Sequence, residues 1–146
     1  MREILFRGKR TDTGEWIEGY FEKYNGCSYI NLQTERLNSG GYPIREFVEV
    51  IPETVGQFTG LTDKNGKRIF EGDIGFFKQT DGAKRNGKRI ICTGKVVYWN
   101  KTASYAVESK DEAGVKYFDY FPINDFEIIG NVHDNPELLN IEKEGE

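Results

Sequence analysis

The chain of 146 residues is poor in the residues that usually announce chemistry. It has one histidine, His133, and two cysteines, Cys27 and Cys92, with no CxxC pair. A structural zinc site needs clustered nitrogen or sulfur ligands and a disulfide framework needs paired thiols, so neither organises this fold. No metal and no cofactor is expected. No apolar run approaches the roughly 20 residues of a membrane-spanning helix. The opening MREILFRGKR also lacks the apolar stretch of a signal peptide. No membrane partner is expected, and free thiols suit a reducing cytoplasm.

Proline is scarce, with four residues, whereas glycine reaches 17 without collagen period or low complexity. That imbalance points to many tight turns between short strands. Hydrophobic residues make up 37%, charged residues 30% and aromatic residues 14%, enough large rings to build a core in one folded domain. The net charge of −4 argues against a surface that binds nucleic acid all over. Its distribution is uneven. Residues 78–95 carry Lys78, Lys84, Arg85, Lys88, Arg89 and Lys95 against Asp81, a local +5 that leaves −9 for the remainder.

Along the chain, period-two alternation recurs. Strands near 3–9 and 15–23 flank the turn Thr11-Asp12-Thr13-Gly14, with Trp16, Glu18 and Tyr20 on one face and Ile17, Gly19 and Phe21 on the other. Cys27–Leu32 is a strand, the polar TERLNSGGY a loop, and 45–50 another strand. Pro52-Glu53-Thr54 suits one turn of 3₁₀ helix. Ile90–Trp99 pairs with Ser104–Glu108, and 115–121 and 126–132 are further strands. PELLN forms a short helical turn before the tail 141–146. Expected is a mainly β fold: a small antiparallel, SH3-like barrel with short hairpins and no helix beyond about two turns. One domain spans 1–146, with an N-terminal hairpin subregion (1–52) on a C-terminal barrel (53–140).

Two stretches echo one another. Phe6-x-Gly8 answers Phe58-x-Gly60, Gly14 answers Gly66, Ile17 answers Ile69, and Glu18-Gly19 matches Glu71-Gly72 with a one-residue slip. The spacing predicts one hairpin geometry used twice, with Gly14 and Gly66 at positive φ. Within the second copy, Glu71 and Asp73 are two residues apart and share a face if extended. With Asp63 they suggest a hard-cation site or an acid–base pair. The simpler reading is structural: Gly72 permits a bend, and Asp73 accepts a backbone N–H there before Ile74 enters the core.

These residues carry a resemblance. Thr54-Val55-Gly56-Gln57-Phe58-Thr59-Gly60-Leu61, Asp63-Lys64-Asn65-Gly66-Lys67 and Ile69-Phe70-Glu71-Gly72-Asp73-Ile74 resemble the signature of the YopX family of phage and prophage proteins. The likeness extends to Gly14-Glu15-Trp16-Ile17-Glu18-Gly19 and to Ile129–Leu139, with one departure at Gly75, where the family tends to carry an aliphatic residue. It implies a small mainly-β protein with an SH3-like region, encoded by a temperate phage or prophage and working in the bacterial host cytosol. It brings no catalytic residues.

Three function classes follow. The leading one is a non-enzymatic accessory protein that binds a protein partner or its own copies, since open strand edges need covering. The second is a nucleic-acid-associated module using Lys84, Arg85, Lys88 and Arg89 on a hairpin tip with the aromatic strands Tyr98-Trp99 and 117–121. That tip could instead meet an acidic patch of Glu108, Asp111, Glu112 and Asp125 on another subunit. The third is a hydrolase built on Asp63, Glu71, Asp73 and His133. His133 and its neighbours read more simply as a turn in which Asp134 or Asn135 caps Pro136.

Overall fold

The fold was taken from a computed structural model, which describes residues 2–80, 89–110, 113–120 and 125–140. It forms two compact units, Met1–Gly60 and Leu61–Glu146. Among the described residues there is no α-helix; strands and two 3₁₀ turns account for the regular structure.

The first unit contains β1 (Phe6–Lys9), β2 (Trp16–Tyr24), β3 (Cys27–Leu37) and β4 (Pro43–Val50), a 3₁₀ turn at Pro52–Thr54, and the start of β5 (Gly56–Thr62). The sheet order is β4-β3-β2-β1-β5, continued by β6 (Arg68–Phe70) beyond Gly60. Alternation sorts its faces. Phe21, Ile30 and Val48 lie opposite one another across β2, β3 and β4, and Ile30, Val48 and Val50 are buried. The Phe6 ring meets Phe21 at 5.5 Å. The 3₁₀ turn is fastened by Thr54, whose hydroxyl donates to the Ile51 carbonyl (2.6 Å) and accepts from the Lys9 amide (2.9 Å).

The second unit contains β6, β7 (Asp73–Thr80), β8 (Arg89–Trp99), β9 (Ser104–Lys110), β10 (Lys116–Tyr120), β11 (Glu127–Asn131) and a 3₁₀ turn at Pro136–Asn140. Its five-stranded antiparallel sheet runs β10-β9-β8-β7-β11. The core is Ile69, Phe77, Val96, Val107 and Phe126, with Cys92 and Ile128 packed against it. Gly75 finds its reason here. A side chain at that position would run into the Phe126 ring, so the glycine makes room for a large buried residue, and β7 still pairs regularly with β8 through Gly75 and Gly94.

The expected barrel is corrected to two open sheets. The nearest approach to closure lies in the first unit, where the end of β4 is tied back to residues 9–11. Arg10 bridges Val50, the Ile51 amide donates to the Lys9 carbonyl (2.8 Å), and the Thr11 amide donates to the Glu49 carbonyl (3.1 Å). One bridge is not a ladder, so this sheet stays open. A second correction concerns β3, which runs on to Leu37 and so takes the first four residues of the expected 34–42 loop. A register shift between Gln33 and Leu37 breaks the alternation, and that shift hides the strand from a period-two reading.

Candidate functional site

The acidic residues that invited a catalytic reading are held by backbone amides. Asp63 sits in the β5–β6 turn and is buried. Its Oδ1 accepts the amides of Asn65 and Lys67, each at 2.9 Å, and its Oδ2 accepts the amide of Ile128 at 3.1 Å. Next door, the Lys64 amide donates to the Phe126 carbonyl (3.0 Å). The outer edge of β11 is thereby covered by the turn, which protects an otherwise open strand edge. Burial pushes the Asp63 carboxyl up, but the amides of Ile128, Lys67 and Asn65 together outweigh it and hold the group below the usual carboxylate range.

Glu71-Gly72-Asp73 forms the entry to β7. Gly72 has φ +87°; its amide donates to the Val96 carbonyl (2.9 Å), and its carbonyl accepts from Val132 (2.8 Å). Asp73 is buried, and its Oδ2 accepts the Phe70 amide at 2.8 Å. The step thus bends the chain between β6 and β7 while giving its backbone groups partners. Among the described residues no three His, Cys, Asp or Glu side chains gather closely enough to hold a metal ion.

The turn after β11 corrects one sequence expectation. The organiser is Asn131, whose Oδ1 accepts the amides of His133 (3.0 Å) and Asp134 (2.9 Å) and whose Nδ2 donates to Asp134 Oδ2 (3.1 Å). Asn135, expected as a cap of Pro136, turns its side chain back to the Asn131 amide (3.4 Å). An Asn side chain that accepts backbone amides two and three residues on is the usual way this residue builds a turn.

The second group of candidates is a surface. Every residue from Glu35 to Phe47 is exposed, so the distal part of the β3–β4 hairpin stands clear of the core. It carries Leu37, Tyr42, Ile44 and Phe47 into solvent. On the outward face of β2–β3–β4, Tyr20, Asn31 and Phe47 form one cross-strand row. The rings are 49% and 51% exposed, whereas Asn31 between them is 4% exposed and its Oδ1 is buried with no hydrogen-bond partner. Two residues along each strand lie Arg45 on one side of the row and Glu49 with Glu22 on the other. Toward β1, the Arg7 guanidinium stands over the Trp16 ring at 4.7 Å, with the Lys9 ammonium at 5.8 Å, contacts worth about 1 kcal/mol at a partly exposed site.

The motifs that build these turns recur in known proteins. The YopX protein family matches residues 5–140. The chain belongs to the YopX family. Among solved structures the chain is similar to the crystal structure of protein EF1440 from Enterococcus faecalis, 23% identical, covering 95% of this chain and 99% of that one with a TM-score of 0.46. A search of curated proteins finds no match.

In this YopX-family chain the remaining candidates separate. Lys84, Arg85 and Lys88 lie outside the described residues, as do Asp111 and Glu112. Arg89 is the first residue of β8, and its backbone opposite Thr80 makes the last described pair of the β7–β8 ladder. Glu108 is withdrawn from the supposed acidic patch: its side chain is buried between Lys95 (3.1 Å) and Lys116 (3.4 Å). Burial raises its carboxyl, but those two ammonium groups prevail and lower it. Asp125 Oδ1 accepts the Lys78 amide (3.3 Å). Of the aromatic strands, Trp99 and Phe118 stack on each other at 4.6 Å and 7°, while Tyr98 and Tyr117 are exposed.

Proposed function

We propose that this YopX-family chain is a non-enzymatic accessory protein of a temperate phage or prophage that acts in the host cytosol by binding protein, its own copies first. The observation that carries the reading is the exposed β3–β4 hairpin with the Tyr20–Asn31–Phe47 row at its base. Large apolar side chains stand in solvent there, and a two-stranded hairpin gains little stability by itself in water. The buried carboxylates support the same reading, because Asp63 and Asp73 accept backbone amides and Glu108 is engaged by two lysines. No helix among the described residues is long and apolar enough to cross a membrane.

The test is solution mass by light scattering over a wide concentration range, alongside capture from infected host cells with a nuclease-treated parallel. A mass above the 16.8 kDa chain, or a protein retained after nuclease, supports the reading. A monomer at all concentrations that captures nothing overturns it. A nucleic-acid reading has the exposed Tyr98 and Tyr117 in its favour, since rings on a sheet face stack bases. It predicts salt-sensitive oligonucleotide binding lost on joint neutralisation of Arg85, Lys88 and Arg89.

A further inference from the structure

We propose that Asn25-Gly26, at the tip of the β2–β3 hairpin, is a self-modification site that loses the Asn25 side-chain amide through a succinimide, while Asn65-Gly66 is protected. Tyr24 and Cys27 pair across the hairpin, so Asn25 and Gly26 alone form the turn. Both have positive φ, 48° and 78°, the combination of a type I′ turn. Both are exposed, and nothing lies within 4 Å of a side chain added at Gly26. Among the described residues the Gly26 amide has no hydrogen-bond partner. Asn65-Gly66 repeats the dipeptide on a fixed backbone. The Gly66 amide donates to the Asp63 carbonyl (3.0 Å), and the amides on either side of it, from Asn65 and Lys67, donate to Asp63 Oδ1 at 2.9 Å. Asn86-Gly87 lies outside the described residues.

The reaction needs only water and hydroxide. The Gly26 amide gives its proton to hydroxide, and its nitrogen lone pair attacks Asn25 Cγ. The Cγ–Nδ2 bond breaks, and Nδ2 takes a proton from water and leaves as ammonia. Water then opens the five-membered ring. Attack at Cγ gives aspartate, whereas attack at the Asn25 carbonyl carbon gives isoaspartate, with one more atom in the main chain. Holding both reacting groups in adjacent residues makes the step unimolecular, and glycine leaves its nitrogen uncrowded. Asn25 must first leave its left-handed conformation, so the turn has to open locally. An exposed two-residue tip opens at small cost. Opening the second turn instead strips amides from a buried carboxylate, which is expensive. Aspartate keeps the first turn and adds a negative charge, because Asp-Gly also suits type I′. Isoaspartate lengthens the turn and loosens the register it sets between β2 and β3.

The test ages the full chain in mildly alkaline buffer, folded and in denaturant, and follows each asparagine by peptide mass spectrometry with isoaspartate resolved by chromatography. Asn25 should convert at least tenfold faster than Asn65 in the folded chain. The two rates should converge in denaturant, where neither turn exists. Equal rates in the folded chain, or a faster Asn65, overturn the proposal. A gap that persists in denaturant also contradicts it, because local sequence and not turn structure would then set the rates. Asp63→Ala should raise the Asn65 rate toward that of Asn25; an unchanged rate in that variant would show that the Asp63 turn is not the protection.

Discussion

The β1–β2 and β5–β6 turns begin from similar sequences and end with different tasks. Each has a glycine at positive φ, 73° at Gly14 and 81° at Gly66, and each has an aspartate in the turn. In the first, Asp12 is exposed and held by Arg10 through two 2.9 Å bonds, with the Thr13 amide at 2.8 Å. In the second, Asp63 gathers two amides of its own turn and a third from Ile128, 65 positions away. The Arg10 hydrogen bond lowers the Asp12 carboxyl to about 2, yet that pair is solvated and screened. A shifted carboxylate therefore reports a partner, and only burial together with long-range amides makes it a fastening.

The largest expected effect follows from removing the fastening. Asp63→Ala leaves three amides without their acceptor and should cost about 3 kcal/mol in equilibrium unfolding, since each abandoned donor costs about 1 kcal/mol or more. Asp63→Asn, which keeps one carbonyl acceptor, should fall between. A loss no larger than that of Asp12→Ala would erase the distinction between the turns.

Smaller effects come from the glycines. Nothing lies within 4 Å of a side chain added at Gly14 or Gly66, so substitution tests backbone strain alone. Gly14→Val and Gly66→Val should each cost about 1–2 kcal/mol, equally in both turns. Unequal losses in thermal unfolding would mean that the two positive-φ positions are not equivalent. Elsewhere the repeat does not hold: Gly60 has φ +88° while Gly8 is not a positive-φ residue, and Gly72 has φ +87° while Gly19 is not.

The pH dependence sharpens the comparison further. The Asp63 carboxyl is depressed in the folded state. Its contribution is thus complete above the ordinary carboxylate range and is lost as pH falls through the depressed value. Titration by NMR at low salt and at about 1 M salt should move the Asp12 value upward, because its partner is a screened charge, and leave Asp63 nearly unchanged. The smallest effect is Asp12→Ala itself, which should leave the unfolding midpoint within measurement error.

Much of this architecture was legible in the sequence, because strands facing a core alternate and glycines mark the turns. Trp16–Tyr24, Arg89–Trp99 and the 3₁₀ turn at Pro52 could be placed that way. What could not be read were facts that depend on distant partners. Nothing local to Asp63 points to Ile128, although Asp-x-Asn-Gly does announce the two amides of its own turn. The burial of Glu108 depends on β8 and β10 arriving on either side of it. Closure of the sheet was misjudged because it depends on whether the outer edges find each other, and the bridge between Arg10 and Val50 ties the β4 edge to the end of β1, inside the sheet. The exposed row was missed for a related reason: Tyr20 and Phe47 are 27 positions apart and come onto one cross-strand row only through Asn31.

Residue-resolved amide hydrogen exchange tests most directly whether the β5–β6 turn is a fastening and the β1–β2 turn is not. In the Asp63→Ala chain, the amides of Asn65, Lys67 and Ile128 should lose protection together, while those of Thr13 and Gly14 keep their native rates. Asp12→Ala should affect the Thr13 amide alone. Undiminished protection at Ile128 in the Asp63→Ala chain would show that the carboxylate does not hold β11, and the account of the buried acids as structural fasteners would fail.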